Sequence, residues 1–148
     1  MPATSAVHTY TTTLEVNDNG DGSTFVAIAE VREIKGPERL VGVVKATNLN
    51  SPNATLEKLP GMIDPGKLTA TLAFTKAQYN TLLGYIRVVK LWRISWPLAG
   101  AETTPSRVKG NGFIVKLGNT FADAEQNEVA LCELEIELTG PLTFTLGS

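Results

Sequence analysis

The sequence is short of the side chains that do chemistry. Cys132 is its one cysteine, so no internal disulfide can form and packing has to hold the fold. His8 is its one histidine, set in a Thr-rich opening, and any imidazole-based acid–base mechanism would rest on it alone. The formal net charge is only -2, which excludes a nucleic-acid reader that works through a basic face. Long apolar runs are missing too. "LVGVV" is far short of the roughly 20 residues that cross a bilayer, so no membrane insertion is expected. The opening "MPATSAVHTYTTT" has no basic region followed by an apolar stretch. A signal peptide is therefore not expected, and a soluble chain made in the cytosol is.

What is present is globular in character. The chain is 43% hydrophobic and 19% charged, which argues against disorder. A length of 148 residues suits one domain, and such a chain buries about two-thirds of its surface on folding. Residues 1–13 read as a mobile arm and 14–148 as a single β domain.

The pattern along the domain is mostly β. Leu14-Glu15-Val16 opens a strand that breaks at "NDNGDGS", residues 17–23. "TFVAIAEVREI" reads as one strand, apolar on both faces and closed by Gly36-Pro37. "RLVGVVKAT" is a further strand, and "NLNSPNATLEKLPG" reads as a long exposed loop. "LPGMIDPGKLTATLAF" brings two Pro/Gly turns. In the strand after them, Leu68, Ala70, Leu72 and Phe74 alternate with Lys67, Thr69, Thr71 and Ala73.

One helix is expected over about residues 76–83. Thr75 is its N-cap, Gln78 completes a capping box, and Phe74 and Tyr79 form a hydrophobic staple. Gly84 ends it. "VVKLWRISWP" follows as a strand with Trp92, Ile94 and Trp96 on one face. "GFIVKLG" and "EVALCELEIELTG" are the last strands, and Pro141 starts a tail. Six or seven strands and one short flanking helix make a mainly β fold, a β-sandwich or barrel.

No constellation of reactive residues emerges. "NDNGDG" fails as a calcium loop, because its first residue is Asn17 and its twelfth is Ile28. "GNG" at 110–112 lacks the third glycine of a dinucleotide fingerprint. Cys132 has no histidine near it in sequence and reads as a buried, inert thiol. Trp92 and Trp96 read as core rather than as a stacking platform. Neither a catalytic residue, a cofactor site nor a metal site is expected.

One surface feature stands out. Along "CELEIELTG", Leu134, Ile136 and Leu138 point one way, and Glu133, Glu135 and Glu137 the other. Successive carboxylates then lie roughly 6.8 Å apart. Glu133 and Glu135 have the separation of a glycosidase pair, but a flat strand offers no pocket. An enzyme is the weakest reading.

The order of these segments resembles a known family. "VVKATNLNSPN", "LPGMIDPGKLTATLAF", a helix with "YNTLL", "LWRISWP", "GFIVKL" and "VALCELEIELTGPLTFT" follow one another as in the major tail tube proteins of long-tailed bacteriophages. The resemblance runs from about Phe25 onward and extends to the tube fold of type VI secretion.

It implies a structural virion protein of the phage tail, made in the host cytoplasm. Its subunits would stack as hexameric rings into a hollow tube, their sheets joined into an inner β-barrel. The tube would conduct the genome, so DNA is met only in passage. The implied partners are further copies of the chain, a tape-measure protein, a tail terminator and baseplate or tip proteins. No cofactor is implied. Asn48, Leu49, Asn50, Ser51, Pro52, Asn53, Leu59, Pro60 and Gly61 would form a ring-stacking loop. Glu133, Glu135 and Glu137 would form an acidic ladder facing the lumen. The rival reading is a monomeric β-sandwich binding module, for adhesion or carbohydrate, with Trp92 or Trp96 exposed for stacking.

Overall fold

The computed structural model describes residues 11–17, 24–48, 50, 52–98, 101–119 and 130–148. His8, with the rest of the expected arm up to residue 10, lies outside the described residues, as does 18–23 of the turn stretch. The described elements are β1 (Thr13–Asn17), β2 (Phe25–Ala27), β3 (Val31–Lys35), β4 (Leu40–Lys45), β5 (Lys58–Asp64), β6 (Lys67–Ala73), α1 (Lys76–Leu83), β7 (Lys90–Ser95), β8 (Arg107–Asn119) and β9 (Leu131–Thr145). Seven strands form one antiparallel sheet in the order β2-β1-β7-β8-β9-β6-β3, while β4 and β5 pair only with each other. The fold is mainly β, with one α-helix among the described residues, as expected.

The sheet has to curl. Its two edge strands, β2 and β3, are consecutive in the chain and separated only by Ile28, Ala29 and Glu30. Four peptide steps reach at most about 15 Å, whereas the edges of a flat seven-stranded sheet lie about 29 Å apart. The connector is tied on every side. The Ile28 N–H donates to the Leu14 carbonyl of β1 at 2.8 Å, and the Ala73 N–H of β6 donates to the Glu30 carbonyl at 2.9 Å. The Ala29 N–H donates to Gln78 Oε1 of α1 at 3.1 Å. Strands β2 and β3 do not themselves pair, so the curl stops short of a closed barrel. The single strand expected over "TFVAIAEVREI" is therefore two strands on opposite edges, with Glu30 at φ 60 in the turn between them.

The inside of the curl is the core. It takes Leu14 and Val16 from β1, Leu68, Ala70 and Leu72 from β6, and Trp92 and Ile94 from β7. Ile114 of β8 and Cys132, Leu134, Ile136 and Leu138 of β9 complete the sheet's share, and Ile28, Leu82 and Tyr85 close over it. Trp92 is 2% exposed. Its Nε1–H donates to the Gly112 carbonyl at 3.1 Å, and the Tyr85 ring meets it edge-on at 6.4 Å.

Helix α1 starts and stops where the sequence places it, and the Phe74–Tyr79 staple forms at 5.5 Å between ring centres. The capping box does not form. Thr75 makes no side-chain cap bond, and Gln78 serves the Ala29 N–H instead. A backbone donor on the connector needs a partner, and that tertiary need wins over the local motif. Strand β9 also outruns the expected stop at Pro141. Thr139 pairs with Asn111 and Thr143 with Lys109, and the residues between bulge out around Gly140-Pro141. A proline without an N–H is tolerated in such a bulge.

On the outer face, Glu15 of β1 accepts hydrogen bonds from Arg93, from Ser95 Oγ at 2.6 Å and from Thr13 Oγ1 at 3.1 Å. The Arg93 guanidinium lies over the Phe25 ring at 3.8 Å. Burial alone would raise the Glu15 carboxyl, but the hydrogen bonds from Arg93, Ser95 and Thr13 and the Arg93 charge together hold it below its ordinary value.

Two outcomes are expected. Trp92→Ala removes the largest side chain of the core and should cost about 3–5 kcal/mol, read as a lower denaturant midpoint. Glu15 has a depressed folded-state value, so its stabilisation is complete above the ordinary 4.5 and is lost as pH falls below it. Glu15→Gln should therefore lower the denaturant midpoint at neutral pH, and the gap to wild type should narrow as pH is taken progressively below 4.5. An undiminished gap at low pH would show that the carboxylate's charge is not what matters.

Candidate assembly surfaces

The segment from Gly36 to Gly66 leaves the sheet and returns to it between two neighbouring strands, β3 and β6. It is an antiparallel hairpin with Leu40 opposite Asp64, Val41 opposite Ile63, Val43 opposite Pro60, Val44 opposite Leu59 and Lys45 opposite Lys58. This corrects the long-loop expectation. Leu59, Pro60 and Gly61 belong to strand β5, and Pro60-Gly61 is part of a bulged ladder rather than a turn. The loop proper is 46–57, with one 3₁₀ turn at Pro52–Ala54. Asn48 Oδ1 accepts the Asn50 N–H at 2.8 Å, and Asn53 adopts φ 55. The expected stacking residues thus divide between the loop (Asn48, Asn50, Pro52, Asn53) and the strand, while Leu49 and Ser51 lie outside the described residues.

The hairpin is apolar and bare. Every residue of β4 is exposed, and Leu40, Val41, Val43, Val44, Leu59, Met62 and Ile63 all face solvent, Met62 at 91%. Contiguous exposed apolar surface of this kind marks an interaction site, a ligand groove or an aggregation liability. Its base is rigid. Gly36 (φ 89) and Gly66 (φ 78) take conformations that disfavour L side chains. A Cβ on Gly36 would strike the Lys67 carbonyl, and one on Gly66 the Glu38 carbonyl. Asp64 Oδ1 accepts the Gly66 N–H at 2.8 Å and closes the turn into β6.

The second surface is the outer face of β6, β9 and β8. Glu133, Glu135 and Glu137 point away from the core, with Leu134, Ile136 and Leu138 buried behind them, as the alternation requires. Register brings lysines among them. Lys67 Nζ reaches Glu135 at 2.7 Å and Lys116 Nζ reaches Glu133 at 3.1 Å. Three carboxylates and two ammonium groups leave this patch at -1. Sequence reasoning missed the lysines. Lys67 could have been placed from its parity on β6, but Lys116 stands beyond a register shift in β8 that one-chain alternation does not show. The Lys67 hydrogen bond holds the Glu135 carboxyl down against a weaker opposing effect of burial, aided by the charges of Lys67 and Lys116. The Lys67 ammonium is raised by the same bond and by the charges of Glu135 and Glu137.

Catalytic equipment is not gathered anywhere among the described residues. No group of three metal-ligating side chains is close enough to hold an ion among them. Cys132 is buried, and burial pushes its thiol up. Trp92 is buried in the core, while Trp96 is half-buried, edge-on to Phe144 at 6.3 Å and part of the wall of the groove beside β3. The groove beside β3, about 590 Å³, is lined by Thr11, Arg32, Glu33, Ile34 and Trp96 without a nucleophile–base pair.

The charge pairing is directly measurable. In Lys67→Met the Glu135 carboxyl should rise towards its ordinary 4.5 when followed by NMR titration. High salt should move wild type the same way, because this pair is open to solvent. A Glu135 titration indifferent to both changes would dissolve the pair.

No family model matches the chain, and no curated protein does. Solved structures do match. A chain of the PVC sheath-tube complex, an extracellular contractile injection system in its extended state, superposes with a TM-score of 0.72 at 16% identity, over 96% of this chain and 93% of that one. A chain of the anti-feeding prophage tube-terminating cap gives 0.73 at 17% identity, over 99% and 95%. A chain of the PVC sheath/tube terminator in the extended state gives 0.73 at 14% identity, over 97% and 99%. These are structural components of tube and cap assemblies, not enzymes. At such identities the likeness is one of fold, and the fold of this chain is tail-tube-like.

Proposed function

We propose that this chain is the repeating subunit of a hollow tail tube, a structural protein without a reaction of its own. Agreement of fold over nearly the whole of both chains with components of injection-system assemblies carries the reading. The bare hairpin supports it, since its apolar residues need surfaces that the described residues of the body do not bring to them. In the proposed tube, hexameric rings stack, and the 46–57 loop with the hairpin reaches the next ring. The tube is the inner conduit of a phage tail. It encloses a tape-measure protein during assembly, ends at a terminator and at a baseplate or tip, and later passes the genome. The face of Glu133, Glu135 and Glu137 lines the bore. Because Lys67 and Lys116 interleave there, each subunit offers a weakly negative polar wall rather than a strongly acidic one. DNA gains affinity by releasing counterions to basic surfaces, so such a wall lets it slide. The rival binding-module reading cannot use Trp92, which lies in the core, and would rest on the half-buried Trp96.

Electron microscopy of the concentrated, purified protein tests this. Wild type should give rings or tubes with six-fold end views, and a chain that stays monomeric at every concentration would overturn the proposal. Glu133, Glu135 and Glu137 changed together to lysine should still fold, because they stand outside the core. Its assemblies should retain double-stranded DNA, with retention falling steeply as salt rises. Assemblies of that variant that ignore DNA would remove this face from the bore.

A further inference from the structure

On the outer face of the central strands, cations come with carboxylates. Lys67 stands on Glu135, Lys116 on Glu133 and Arg93 on Glu15. Two residues of β8 break that pattern. Arg107 and Lys109 are half-buried, yet neither has an acidic partner among the described residues. Arg107 Nε is buried without an acceptor, while its Nη groups, also without a partner, stay open to solvent. Packing thus holds the guanidinium in place and leaves its outer N–H groups to a ligand. A half-buried charge with no counter-charge is costly, and an unpaired buried donor points to an absent partner. We propose that Arg107 and Lys109, with the hydroxyls of Thr143 and Thr145, form a site for one phosphate group. The site belongs to the single chain and does not rest on the tube reading.

Register builds the site. Arg107 lies opposite Ser95 and Lys109 opposite Arg93, which places both on the outer face. On the other side of β8, Arg107 faces Thr145 and Lys109 faces Thr143, and both threonines are exposed. Directly opposite side chains stand about 5 Å apart, and successive ones on a face roughly 6.8 Å. The four donors therefore frame a small square that the long Arg and Lys chains can close over one tetrahedral anion. Arginine supplies a planar fork of N–H groups, lysine a point charge and each threonine an O–H. Two positive charges match a phosphate dianion, whereas a carboxylate would answer only one of them. Towards β7, Arg93 and Ser95 are already engaged by Glu15, so they neither neutralise the site nor compete for its ligand. In the other direction the ladder shifts between Lys109 and Asn111 and bulges around Gly140-Pro141, which sets the site off from the glutamate rows. Beneath it, Leu142 packs so closely on Gly110 that a Cβ there would strike it. The chain as a whole carries -2, so this positive site is local and not a product of bulk charge.

The denaturant midpoint in rising inorganic phosphate, against sodium chloride at equal ionic strength, tests the site. Phosphate also stabilises proteins by exclusion from their surface, so the comparison between variants decides. Wild type should show a saturable rise, as a ligand that binds only the folded state produces. Lys76→Gln, at the exposed start of α1, should show the same rise. Arg107→Gln and Lys109→Gln should each need about tenfold more phosphate to reach it, the loss of one charge-assisted hydrogen bond. Phosphorus-31 line broadening by the folded protein, weakened in the same two variants, reads binding without unfolding. A short DNA duplex then separates the sources. Retention by wild type that both variants lose assigns the phosphate to a nucleic-acid backbone, and phosphate binding without duplex retention assigns it to free phosphate or a small ester. No saturable response in wild type would overturn the site, and so would a response equal in wild type and both variants. Neither result touches the tube-subunit reading, which microscopy judges separately.

Discussion

Everything in this fold follows from two edge strands that the chain keeps three residues apart. Because β2 and β3 share the short connector Ile28–Glu30, the sheet between them cannot lie flat. Curling gives the sheet an inside, and the inside collects Trp92 and the alternate residues of β1, β6, β7 and β9 into one core. The helix then has a defined place. Leu82 and Tyr85 close over that core, and Gln78 binds the connector that causes the curl. Since the apolar residues of these strands are spent on the inside, the outside can be polar. There the Glu15–Arg93–Ser95 group and the mixed Glu/Lys rows of β6, β8 and β9 sit.

The sequence made some of this legible because the signals were local. The alternation of Lys67–Leu72 and of Cys132–Leu138 sets which side chains go inward, although Ala73, of the outward parity, is buried as well. Helix α1 was bounded by Thr75 and Gly84, which act within one turn of chain. The misses were non-local. Nothing between Phe25 and Lys35 is a glycine or proline, so the jump from one sheet edge to the other leaves no mark in that stretch. Pro60-Gly61 and Gly140-Pro141 look like strand stops. Both fall at bulges, where a ladder can spare an N–H, and the strands run on. The candidate site was half legible for the same reason. The glutamates were readable from one strand, but their lysine partners come from neighbouring strands whose register no single strand reveals.

The hairpin does not weaken the body that carries it. Strands β3 and β6 pair directly, so the excursion between them begins and ends at one point of the sheet. Such an insertion can change length at little thermodynamic cost, and none of the core cluster residues lies within it. Fold and assembly are in this sense separately encoded. The curled sheet holds the core, and the hairpin stands outside it.

A bare apolar hairpin is ordinarily a hazard, because its backbone edges invite other strands. This one guards its edges while leaving its faces open. Pro60 removes an N–H from β5, the bulge between Val41 and Val43 breaks the regular ladder, and Lys45 and Lys58 place like charges opposite each other near the loop. Each of these opposes unregulated strand addition. None of them covers Val41, Val43, Val44, Leu59 or Ile63. Edge protection combined with open faces selects side-chain packing over backbone pairing as the mode of contact. Packing of that kind demands a partner surface of matching shape. A strand added at an edge would accept almost any sequence. A face that packs by shape accepts few.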